Sequence, residues 1–61
     1  MRPALVDMLI QRTLLDMRHN NETTPPHFMD EFDLKSYIED AAEYLFISDV
    51  EILEAAYREL K

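Results

Sequence analysis

The 61-residue chain contains no glycine. Glycine supplies the positive φ of two-residue hairpin turns and lets a backbone wrap closely around a phosphate. A chain without it is poorly suited to tight hairpins and phosphate-cradling loops, and well suited to helices. No alternating apolar and polar run is long enough for a strand. The expected class is therefore all-α.

Length narrows the choice further. Sixty-one residues make one domain. A domain of this size buries only roughly 60% of its unfolded surface and has little stability in hand. Disulfides, a metal or oligomerisation usually make up the margin. The chain has no cysteine, and its two histidines are His19 and His27. Disulfides and thiolate sites are excluded, and two imidazoles are too few for a structural zinc site without several carboxylates. Association with another chain is the remaining route.

The apolar fraction of 48% is that of a globular protein. The net charge of −7 is large for the length. It disfavours nucleic-acid phosphates and anionic membrane surfaces, which repel a polyanion, and favours a basic protein patch. No apolar run approaches the roughly 18 residues of a membrane span. Asp7, Gln11 and Arg12 interrupt the N-terminal apolar stretch, so no signal peptide is expected and the expected location is cytoplasmic.

The spacing predicts three main helices. The first runs from about residue 3 to 18, with Pro3 in its first turn. Val6, Leu9, Ile10, Leu14 and Met17 share one broad face, Ala4, Met8 and Leu15 lie on a second, and Arg12 can pair with Asp16. Asn20 or Asn21 ends it, because asparagine tolerates the left-handed region. Residues 19–26 read as a loop, closed by Thr23, Thr24, Pro25 and Pro26. An extra short helical turn follows near 26–32, carrying Phe28, Met29 and Phe32. Those three are out of phase with Leu34, Tyr37, Ile38, Ala41, Tyr44 and Leu45, which places a break near Asp33. Asp33 then caps a second helix over about 34–46. Ser48 and Glu51 have capping-box spacing for a third helix over about 49–60, with Val50, Ile52, Leu53, Ala56, Tyr57 and Leu60 on its apolar face. The expected fold is a small three-helix bundle, helices two and three joined by a tight helix-turn-helix-like turn. Its core draws on Leu9, Leu14, Tyr37, Ile38, Ala41, Leu45, Ile52, Leu53 and Tyr57.

Candidate chemistry is sparse. The helix-turn-helix look of residues 41–52 would suit a DNA reader, yet Phe46 stands where glycine usually sits. The reading helix would begin with Asp49, Glu51 and Glu54, where base and phosphate contacts need Arg, Lys, Asn or Gln. His27, Asp30 and Glu31 are spaced to converge on one ion, but no second cluster completes a ligand set. Ser36 and Ser48 have no histidine placed beside them. The expectation is a non-enzyme with no metal and no cofactor.

Two surface features remain. Residues 1–18 hold three arginines against two aspartates, a net +1, whereas residues 19–61 hold three bases against eleven acids, a net −8. Glu39, Asp40 and Glu43 on helix two, with Glu51 and Glu54 on helix three, form an acidic face suited to a basic partner. The first helix carries more apolar surface than one contact requires. Ala4, Met8 and Leu15, joined by Phe28, Met29 and Phe32, read as an interface, with a homodimer through helix one as the simplest use. The reading is a small acidic intracellular regulator, inhibitor or adaptor that acts by protein–protein binding and self-associates. The alternatives are a helix-turn-helix DNA-binding protein and an acidic nucleic-acid mimic that blocks a basic site on its target.

Overall fold

A computed structural model describes residues 2–61. Three α-helices, α1 (Ala4–His19), α2 (Glu31–Leu45) and α3 (Val50–Leu60), pack against one another, and a 3-10 turn (Pro26–Phe28) lies between the first two. No strand occurs among the described residues. The expected three-helix bundle is the observed fold.

The core is built where the sequence periodicity places it. Leu9, Leu34, Ile38, Ala41 and Ala56 are fully enclosed or nearly so, with Val6, Ile10, Met17, Ala42 and Ile47 around them. Leu14, Tyr37, Leu45, Ile52, Leu53, Tyr57 and Leu60 pack against this set while keeping some exposure. Fully burying one such aliphatic side chain is worth about 1.5–3 kcal/mol. The small residues Ala41, Ala42 and Ala56 fill the space where larger side chains would hold the helices apart.

Thr13 is a core position that hydrophobicity did not reveal. It is fully buried, and its hydroxyl donates to the Leu9 carbonyl oxygen at 2.7 Å. Back-bonding within the helix satisfies the hydroxyl, so it enters the core without an orphaned donor.

The helix starts differ from expectation in two places. α2 begins at Glu31, capped by Asp30 rather than Asp33: one Asp30 carboxylate oxygen accepts from the Phe32 and Asp33 amides at 3.0 and 3.3 Å. The phase difference of Phe32 is real, but it puts Phe32 on the outer side of the first turn of α2 and breaks nothing. α3 begins at Val50, capped by Asp49 rather than Ser48, with Asp49 Oδ1 accepting from the Glu51 amide at 2.9 Å. The box expected between Ser48 and Glu51 does not form. A cap at Asp49 puts Ile52, which has no carboxylate, at the position that would reach back.

Two helices end in the same backbone motif. At the end of α1, the Asn21 amide donates to the Arg18 carbonyl and the Glu22 amide to that of Met17. At the end of α2, the Phe46 amide donates to the Glu43 carbonyl and the Ile47 amide to that of Ala42. Both are Schellman closures, and both put a non-glycine residue in the left-handed region: Asn21 at φ 58° and Phe46 at φ 59°. Asparagine suits that region. A phenylalanine there costs roughly 1–2 kcal/mol.

The long connection is tied down rather than loose. Asn20 Nδ2 donates to the Tyr37 hydroxyl at 2.7 Å, and that hydroxyl donates to Glu22 Oε1 at 3.3 Å. Met29 is 4% exposed and plugs the core, and Lys61 Nζ donates to its carbonyl oxygen at 2.8 Å.

Candidate protein-interaction surfaces

At about 100° per residue, the buried stripe of α1 through Val6, Ile10, Thr13 and Met17 has Ala4, Met8, Gln11 and Leu15 directly behind it. All four are exposed, Met8 by 49%. Leu5, on the flank of this outer face, is exposed too. α1 is thus apolar towards the core and largely apolar away from it.

Both acids of α1 are paired within the chain. Asp7 pairs with Arg2 at 2.9 Å, and Asp16 with Arg12 Nε at 2.9 Å, at the i, i+4 spacing seen in the sequence. Arg2 also reaches Glu59 on α3 at 3.5 Å. The Arg12 guanidinium stacks on the Tyr44 ring of α2, 3.5 Å from its centroid. That cation–π contact crosses between helices and has no signature in the spacing of either one.

The six residues read as one apolar set come from different elements, and one of them is buried. Ala4, Met8 and Leu15 share the outer face of α1. Phe28 in the 3-10 turn and Phe32 on the outer face of α2 are each about three-quarters exposed, at 73% and 75%. Phe28 packs beside His27, ring centroids 4.4 Å apart. Met29 leaves the set altogether, because the turn after Pro25 and Pro26 directs it into the core.

Glu39, Asp40 and Glu43 on α2 and Glu51 and Glu54 on α3 are all exposed. None of the five makes an ion pair among the described residues. Glu31, by contrast, is held by Lys35 at 3.0 Å. The hydrogen bond from Lys35 to Glu31, reinforced by their charges, raises the lysine pKa above its ordinary value. Its ammonium also lies 5.2 Å from the Tyr57 ring centroid.

Lys35 sits at the rim of an open groove between α2 and α3. Ile38, Leu53 and Tyr57 form its floor, with Val50 at one end and Glu39, Glu54 and Arg58 along its edges. Val50, expected on the buried face of α3, is instead 64% exposed, because the first residue of that helix overhangs the groove. The groove is about 520 Å³. It is open along its outer side, unlike sites that enclose most of a small ligand.

The spacing of His27, Asp30 and Glu31 does not bring them together on one point. Asp30 caps α2, Glu31 holds Lys35, and His27 lies beside Phe28. Among the described residues no group of three histidine or acidic side chains is placed to hold a metal ion, and no helix is long and apolar enough to cross a membrane.

No family model, curated protein or solved structure matches the chain.

Proposed function

We propose that this chain is a small cytoplasmic protein-binding protein that acts without catalysis, pairs with itself along α1, and presents the acidic outer faces of α2 and α3 to a larger basic protein as a regulator, inhibitor or adaptor. The observation that carries the reading is the apolar stripe Ala4, Met8 and Leu15, placed on the opposite side of α1 from the core. Exposed stripes of this kind in small proteins usually mark an interface. A methionine at its centre suits an adaptable one.

A second copy is the occupant that the charges favour. Each chain carries −7, so two copies repel wherever their acids face each other. α1 is the helix whose own acids, Asp7 and Asp16, are both paired with arginine. It is the side on which another acidic copy can approach at least electrostatic cost. An antiparallel crossing centred near Gln11 and Arg12 sets Met8 of one copy against Leu15 of the other.

Glu39, Asp40, Glu43, Glu51 and Glu54 then remain outward. They support a narrower form of the reading, in which the acidic faces stand in for a phosphate backbone on the basic site of the target. DNA reading by α3 has less support, since Glu51 and Glu54 repel phosphate.

Met8→Glu tests the self-pairing. In sedimentation equilibrium the variant stays monomeric at concentrations where the wild-type chain is dimeric, with unchanged helical circular dichroism. Unfolding of the Met8→Glu monomer would place Met8 inside the core of the single chain and sink the proposal.

A further inference from the structure

The corner where α2 ends has no explanation in the fold. Phe46 occupies the left-handed position of the closing motif, where its bulk is unfavourable, and its side chain is 95% exposed. It contributes almost nothing to the core. The equivalent position after α1 holds Asn21, a residue that suits the same backbone. Two residues earlier, Tyr44 is also largely exposed, and one of its ring faces already carries the Arg12 guanidinium at 3.5 Å. Arg12, Asp16, Asp40, Glu43, Tyr44 and Phe46 together line a shallow concavity. Asp16 is neutralised by Arg12, whereas Asp40 and Glu43 have no cationic partner among the described residues.

We propose that this corner receives an arginine side chain of a basic partner segment, with Phe46 offering its ring face and Asp40 and Glu43 offering their carboxylates. The proposal rests on the reading of the acidic faces as a docking surface for a basic protein, and names the group that is recognised. Three features of this corner converge on a guanidinium. Two exposed aromatic rings stand within two residues of each other, and ring faces attract cations. Two uncompensated carboxylates border them, and a carboxylate matches the fork of arginine better than it matches an ammonium. In the same concavity the Arg12 guanidinium already lies over the Tyr44 ring, 3.5 Å from its centroid. A glycine or asparagine at position 46 would suit the backbone better, so the ring is held at a cost that binding of a partner would explain.

The test uses the full chain and a short arginine-rich peptide, with lysine and citrulline peptides of the same length as controls. The arginine peptide is expected to shift the ring resonances of Phe46 and Tyr44 and to bind more tightly than either control. Phe46→Asn keeps the helical spectrum, melts no lower than wild type, and weakens the arginine peptide by about fivefold or more, the worth of a cation–π contact. Equal affinity of Phe46→Asn, or equal binding of the citrulline peptide, overturns the proposal. Should Phe46→Asn fail to fold, the wild-type ring resonances decide: a bound arginine peptide that leaves them in place overturns it as well. Glu39→Lys, Glu51→Lys and Glu54→Lys combined separate this proposal from the one beneath it. If that triple variant loses the peptide while Phe46→Asn does not, the acidic docking surface stands and the corner falls. If neither loses it, both fall.

Discussion

The outer faces of α1 and α2 differ first in what neutralises their charge. On α1 both acids are held by arginines of the same chain, and the stripe between them is Ala4, Met8 and Leu15. On α2 the corresponding stripe holds Glu39, Asp40 and Glu43, none in an ion pair among the described residues, and Phe32 is exposed at its start. Neutral apolar surface invites a like chain, and uncompensated charge invites an opposite one. The two faces therefore suit different partners, although each is only the back of an amphipathic helix packed on the same core.

Truncating one side of α1 and then the other sharpens the contrast most. Leu9→Ala removes a fully buried side chain and is expected to cost about 2–5 kcal/mol of unfolding free energy. Leu15→Ala, on the outer face, is expected to change the stability of the isolated chain by less than about 0.5 kcal/mol while weakening self-association. Urea unfolding of both variants at low concentration measures the first effect, and a dilution series the second. Comparable losses from the two substitutions would mean that both faces of α1 lie within one core.

Smaller effects are expected at the helix starts. Asp49→Ala removes an observed cap and should cost about 1 kcal/mol. Ser48→Ala, which removes no hydrogen bond, should stay within about 0.5 kcal/mol of wild type. The reverse order in thermal or chemical unfolding would return the cap to Ser48. Phe46→Gly lies at the end of the scale with the opposite sign: relief of the left-handed phenylalanine should stabilise the chain by up to about 1 kcal/mol. A loss of stability would show that Phe46 supports the fold after all.

The buried faces were legible in the sequence because periodicity reports them directly. Leu9, Ile38 and Ala41 are core where the spacing put them, and the Arg12–Asp16 pair forms at its expected separation. What the spacing could not show depends on contacts between elements. Met29 is buried because a turn after two prolines and the Lys61 side chain fix it against the bundle, neither of which is local to its neighbours in sequence. Thr13 is buried because its hydroxyl bonds one turn back, which a hydropathy pattern reads as a polar residue. The caps slipped because acids crowd these starts. Asp30 and Asp33 compete before α2, Ser48 and Asp49 before α3, and only backbone geometry selects between them. The exposed α1 stripe was legible as a second face of one helix.

The central claim is that the outer face of α1 is covered by a second copy. Light scattering of the wild-type chain across a dilution series tests it most directly. Twice the mass of the chain is expected at high concentration, falling towards one chain on dilution. A single-chain mass at every concentration would contradict it, and would leave Ala4, Met8 and Leu15 without the partner assigned to them here.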